Sequence, residues 1–413
     1  MGAVSLGLVN SSLATALGVG LRTTAASASA KETATYTVSI YTSLESCAAA
    51  WRLFEQDAVA TIFQTYGWLE CWQRTVGEAR ASRPHIAFVH DKTGSPVMIL
   101  PLALENILGV STLTWMARDE ADYHAPLMTK EFAATCTAAD MQHILTRIAR
   151  HVSSADALSL IKTVHTFDSA LNPLTHMQHL PHPSAAHAIS LHGTFDELYA
   201  DKRSKSTRRK DRQRRQRIEA MGDLKFEIAQ TPQQRHDMLT SLLSQKAAWL
   251  EARGITNPFA ADDVQAFLQS LIDDPSAAAA LHISAMTLNG EVIAGNLGYT
   301  RGNRFYAMIG TIADGDVARQ SPGIVHLHEL LKWCFDNDIS IFDLTVGDEG
   351  YKKDWCDMRQ DLVDIRLPLS IAGYLATAIL RAKDMAKRAI KSSPGLFTFA
   401  LATRRTLKTI VPK

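Results

Sequence analysis

Between His282 and Ile309 three strand-like stretches follow one another, His282–Leu288, Val292–Tyr299 and Arg304–Ile309, and Asn289-Gly290 joins the first two. An Asn-Gly pair between apolar runs is the pattern of a two-residue hairpin, because both central positions need a positive φ. A Gly-containing loop, a helix over 324–337 and another strand at Ile339–Leu344 come next. A hairpin that continues through a helix into a further strand points to α/β units, not to a helical bundle or a β-sandwich. The rest of the chain has the same mixture. Thr35–Tyr41, Ile86–Val89, Val97–Leu104, Ser111–Trp115 and Ala157–Ile161 read as strands, and Leu44–Val59 and Met141–His151 as helices.

A chain of 413 residues exceeds one ordinary domain. We expect a flexible tail over 1–33, a first lobe over 34–187, a second over 188–370 and a basic helical tail over 371–413. The boundary between lobes falls at Asn172–His187, which holds three prolines and four histidines. The last segment has nine Lys and Arg against one Asp. Across the whole chain the net charge is only +1, so nothing draws it globally to nucleic acid. The five cysteines are scattered and form no CxxC pair, which argues against a disulfide framework or a zinc site. No Lys or Arg precedes Arg22, so the charged start of a secretory signal is missing, and a reducing cytoplasm is the expected location.

Two stretches carry chemistry. Arg319-Gln320-Ser321-Pro322-Gly323-Ile324 stands just before an amphipathic helix. A Gly there lets backbone approach an anion, and the first-turn N–H groups and helix dipole favour phosphate. Arg319 would add a charge-assisted contact. From the segment alone, a plain loop with Pro and Gly marking a helix start is the favoured reading. The second stretch, Phe342 to Trp355, runs from a buried strand into a polar loop. Asp343 or Glu349 is placed to accept a proton from a nucleophile, Tyr351 to donate one to a leaving thiolate, and Lys352 to hold an anion. A polar turn before a surface helix is the alternative.

Taken together, Ser321-Pro322-Gly323 and Phe342-Asp343-x-x-x-Gly347-x-x-x-Tyr351-Lys352-x-x-Trp355 resemble the second lobe of CelD/BcsL-type acetyltransferases, relatives of the FemAB transferases. Gln245-Lys246-x-x-Trp249-Leu250-x-x-x-Gly254, the hairpin around Gly290–Gly295, Phe63-Gln64-Thr65-x-x-Trp68-Leu69-x-x-Trp72 and Asp122-Tyr123 extend the resemblance over roughly residues 35–370. It implies two GNAT-like α/β lobes, a tandem acyl-CoA N-acyltransferase fold with mixed sheets flanked by helices. It also implies acetyl-CoA or another acyl-CoA as co-substrate, bound near Arg319, Gln320, Ser321 and Gly323, with Asp343, Tyr351 and Lys352 catalytic and no metal. The wider GNAT pattern Q/R-x-x-G-x-G/A is met at Gln320 and Gly323, but Val325 replaces its last small residue. That departure keeps an acyl-carrier protein open as donor.

By resemblance the acceptor is a small molecule or saccharide, in polysaccharide or cell-envelope metabolism. Lys202–Arg217 adds a run in which ten basic residues stand against two acidic ones, counting from Asp201. An anion belongs near so much charge, but no aromatic residue is interleaved for base stacking, so nucleic acid is disfavoured. The basic tail suits a membrane surface or a partner synthase. Two alternatives stay open: a FemAB-like transferase using aminoacyl-tRNA, and a non-catalytic scaffold of the same fold.

Overall fold

The computed structural model describes residues 36–167, 170–347 and 349–392. The expected N-terminal tail and the second half of the C-terminal tail, including a helix expected over Phe397–Lys408, lie outside the described residues. The first half supplies strands β1 (Thr37–Tyr41), β2 (Ile86–His90), β3 (Pro96–Leu100), β4 (Leu102–Ile107), β5 (Val110–Trp115) and β6 (Ala157–Val164). The second half supplies β7 (Ala186–Ser190), α1 (Lys205–Glu219), β8 (Leu224–Ile228), α2 (Pro232–Glu251), β9 (Leu281–Leu288), β10 (Glu291–Arg301) and β11 (Arg304–Ile312). It ends with α3 (Pro322–Asp336), β12 (Ile341–Val346), β13 (Leu362–Pro368) and α4 (Ile371–Ser392).

Local chemistry explains several of these elements. Asp91 Oδ1 accepts the N–H groups of Thr93 at 2.8 Å and Ser95 at 3.1 Å, closing the turn between β2 and β3. Asn289 and Gly290 have φ of 53° and 83°, as the β9–β10 hairpin requires. Thr231 and Gln234 form a capping box at the start of α2. One expected strand is divided. Val97–Leu104 reads as continuous, but Pro101, which has no N–H for a ladder, separates β3 from β4, and the two join different sheets.

The mixed α/β architecture with sheets flanked by helices is the expected one. β1, β2 and β3 pair antiparallel with Leu127–Met128 at the far edge. A six-stranded sheet runs His179–Pro181, β13, β6, β5, β4, Arg83–Pro84, with β5 and β6 parallel. A seven-stranded sheet runs β8, β9, β10, β11, β12, β7, Met358–Gln360, and its parallel pair is β11 with β12. Strand β13 falls within the range expected for the second lobe, yet it lies in the sheet of the first. The connector is ordered too: Asn172 is buried and donates to Val164 O at 2.9 Å, and His182 meets Asp364 at 2.9 Å.

The described residues form one unit, with an apolar core continuous across both halves. Phe63 packs edge-on against Trp68, Tyr123 and Tyr306, and Trp68 against Phe267. Trp68 and Phe63 are thus core residues, as their size favours.

Candidate active site

Strands β11 and β12 pair only from Arg304–Tyr306 to Ile341–Asp343. Beyond that they part, and a cavity of ≈570 Å³ fills the wedge. Met308 and Gly310–Ile312 line one side, Leu344–Val346 the other, and Ser321, Gly323 and Ile324 of the α3 start close one end. The backbone edge of β11 that β12 abandons therefore faces the cavity. A register shift between Leu297 and Gly298 adds local twist to β11's other neighbour. At Thr345 φ is 56°, a left-handed conformation that a β-branched residue adopts only under constraint, and it bends the end of β12.

The four residues expected to hold a donor divide. Ser321, with φ 55°, and Gly323 stand at the cavity. A Cβ on Gly323 would lie 2.9 Å from Ile312 Cγ2, so only glycine lets the first turn of α3 come this close to β11. Arg319 and Gln320 do not line the cavity. Arg319 is largely exposed and pairs with Asp316 at 3.1 Å. Gln320 accepts Arg217 Nη1 at 3.5 Å.

The three residues expected to be catalytic also divide. Asp343 is buried on the paired part of β12 and does not line the cavity; it borders a second space of ≈540 Å³. Its Oδ2 accepts the Tyr123 hydroxyl at 2.6 Å and Arg304 Nη1 at 3.0 Å, and its Oδ1 accepts the Thr345 N–H at 2.7 Å. Tyr351 does line the cavity. Desolvation, with the Glu349 carboxylate adding to it, pushes its phenol up to about 12, so it stays protonated. Lys352 also lines the cavity but is already engaged: its Nζ donates to Leu344 O at 2.9 Å and Thr345 O at 3.4 Å and pairs with Glu349 at 2.9 Å.

Two carboxylates line the cavity: Glu349, which pairs with Lys352, and, from the first lobe, Asp122. Burial raises its pKa above the usual range, while the charges of Lys162 and Lys352 and a hydrogen bond from the Thr345 side chain act against that rise. Its loop is braced on every side. Trp72 Nε1 and Arg80 Nη1 each donate to Glu120 at 2.8 Å, Lys162 Nζ donates to Ala121 O at 2.5 Å, and Tyr123 is tied to Asp343. In the sequence Asp122 is one acidic residue in the polar stretch Ala117–His124, and its only distinguishing signal is the Asp122-Tyr123 match. Nothing local shows that this loop meets the end of β12. Lys246 and Trp249 complete the wall; Lys246 Nζ donates to Gly310 O at 3.1 Å and sits 5.2 Å from the Trp249 ring centre.

A carboxylate of raised pKa, a protonated phenol and a helix start therefore face one cavity between diverging strands. Residues 205–353 match the family described as an acetyltransferase (GNAT) domain. No curated protein sequence matches the chain significantly. Among solved structures, FemX is similar with a TM-score of 0.56 and 10% identity over 79% of this chain and 97% of that one. A conserved protein of unknown function from Bacteroides thetaiotaomicron VPI-5482 has a TM-score of 0.51 and 10% identity over 80% of this chain and 100% of that one. At such identities the likeness is one of fold, and it spans both lobes; residues 205–353, the stretch that matches the acetyltransferase (GNAT) domain, include α1, β8–β11, α3 and β12.

Proposed function

We propose that the chain transfers an acyl group from a thioester, acyl-CoA in the first instance, to an amine or hydroxyl held in the ≈570 Å³ cavity. The observation that carries this reading is the Asp122 carboxyl at the wall where β11 and β12 part. The wedge suits an extended thioester arm, whose amides can pair with the free edge of β11. First-turn N–H groups of α3 suit a phosphate at its end. The acceptor's nitrogen or oxygen attacks the thioester carbonyl, the carbon–sulfur bond breaks, and the acceptor's proton passes to Asp122. Tyr351, protonated, offers a hydrogen bond to the departing sulfur. Asp343 and Lys352 position the Thr345 turn. The motif resemblance directs the acceptor toward a saccharide or small molecule of polysaccharide or cell-envelope metabolism.

Thermal-shift titration with acetyl-CoA, longer acyl-CoAs and free CoA tests the donor. A ligand at 100 times its Kd stabilises the fold by about 2.7 kcal/mol. No stabilisation by any acyl-CoA would exclude CoA thioesters and leave an acyl-carrier protein or tRNA as donor. A second reading, aminoacyl-tRNA as donor, is favoured by α1. Arg209, Lys210 and Arg212 are exposed there without a carboxylate at ion-pair distance among the described residues, while α1 neighbours the α3 start through Arg217–Gln320. Salt-dependent binding of charged tRNA would support it.

A further inference from the structure

Helix α4 docks tightly by one side. A Cβ on Gly373 would lie 1.7 Å from Asp156 O, so the helix backbone rests directly on the chain before β6. Ser370 Oγ donates to Asp156 Oδ1 at 2.6 Å, Arg381 Nη2 donates to Arg366 O at 2.9 Å, and Asp384 turns inward to Arg366 at 2.6 Å. Ala376 and Thr377 are buried on the same side.

The opposite side is apolar and bare. Ile371, Tyr374, Leu375, Ile379 and Met385 are 63%, 50%, 61%, 60% and 57% exposed. At 100° per residue they fall in one arc of about 140°, with only alanines 378 and 382 between them. Lys383 and Arg381 stand at its two borders, and no carboxylate lies within it. An amphipathic helix needs one apolar face, already used here against the sheet, so a second one is unpartnered surface.

We propose that this outward face of α4 seats the protein on an anionic membrane surface, lying in the interface and not crossing it. Among the described residues no helix is long and apolar enough to span a bilayer. Leucine and isoleucine on one face, a tyrosine beside them and lysine or arginine at the borders are what the boundary between headgroups and acyl chains accommodates. Charge complementarity selects lipid of negative charge. From Met385 to the end at Lys413 the sequence has seven Lys and Arg and no Asp or Glu. Lys383 at the border of the face is attracted to an anionic leaflet and would gain nothing from a zwitterionic one.

The test is flotation of the full chain with vesicles of phosphatidylcholine and phosphatidylglycerol, against vesicles of phosphatidylcholine alone. The protein should float with the mixed vesicles and be released as salt is raised. The double substitution Leu375→Glu, Ile379→Glu, at exposed positions where folding survives, should lower the bound-to-free ratio by roughly tenfold or more. The circular dichroism melt should be unchanged. Equal flotation of wild type and variant would overturn the proposal, as would absence of flotation. A wild-type dimer by light scattering that the same substitutions make monomeric, without flotation, would assign the face to a second copy instead.

Discussion

Asp122→Asn separates chemistry from folding. The amide keeps the shape and can still bond to Thr345, but it cannot take a proton. In the folded chain the carboxylate form of Asp122 is disfavoured by burial more than Lys162 and Lys352 favour it, since its pKa is raised. Neutralising it therefore costs little stability, within about 1 kcal/mol. The catalytic loss should be far larger, about 10²- to 10⁴-fold in kcat, the range for a lost general base. The pH dependence supplies a second, independent readout. The base is active when deprotonated, so the wild-type rate falls as pH drops through a pKa above that of an ordinary aspartate. In the variant this acid limb should vanish, because nothing is left to titrate at that atom. Thiol release from the acyl-CoA identified by thermal shift, with the acceptor present, measures both. A variant with wild-type turnover per folded molecule and an unchanged acid limb would refute Asp122 as proton acceptor.

Three other outcomes follow from the geometry. Gly323→Val should weaken donor binding tenfold or more, since any Cβ there meets Ile312 and displaces the first turn of α3 from the cavity; calorimetry showing an unchanged Kd would remove that turn from the site. Asp343→Ala should cost about 3 kcal/mol, because it takes away the buried carboxylate that Tyr123, Arg304 and the Thr345 N–H share, and a denaturation midpoint equal to wild type would contradict this. His282 and His326 are buried, with burial pushing them down to about 3 and about 4, so between those values and 6.5 the folded chain holds fewer protons than the unfolded one. Stability should fall as pH is lowered through that window, by at most about 1.4 kcal/mol per pH unit for each histidine; in urea melts His282→Phe should flatten the slope, and an unaltered slope would count against it.

What the sequence made legible was periodic and local. The β9–β10 hairpin follows from its Asn289-Gly290 turn, because that signal lies within a few residues of the structure it specifies. Gly323 was legible as a close-approach position, and the structure supplies the neighbour, Ile312. Asp343 and Asp122 were not distinguishable in role. Both are acidic residues beside an aromatic one near a strand, and which carboxylate faces the cavity depends on the side of β12 each meets. Pro101 shows the same limit from another direction: the run Val97–Leu104 has strand composition throughout, and only the missing N–H marks where the chain changes sheet. For α4 the sequence shows a basic helix, while its second apolar face becomes visible only when Gly373 and Ala376 are seen to be the buried ones.

The buried charges around β12 make sense as a device for holding one backbone conformation. Thr345 in the left-handed region costs about 1–3 kcal/mol, and such strain persists only where its surroundings over-determine it. Here the Asp343 carboxylate holds its N–H, the Lys352 ammonium draws its carbonyl and that of Leu344, and its side chain meets Asp122. Each of these groups is fixed in turn from elsewhere: Asp343 by Tyr123 of the first lobe and Arg304 of the second, Lys352 by Glu349, and Asp122 by the braced loop before Tyr123. Asp343 has its oxygens taken by Tyr123, Arg304 and the Thr345 N–H and does not line the cavity. A carboxylate with a raised pKa at a cavity wall is suited to accepting a proton. The same network that joins the two lobes therefore fixes Asp343 as the anchor of the turn, and in the proposed reaction it leaves Asp122 to exchange a proton.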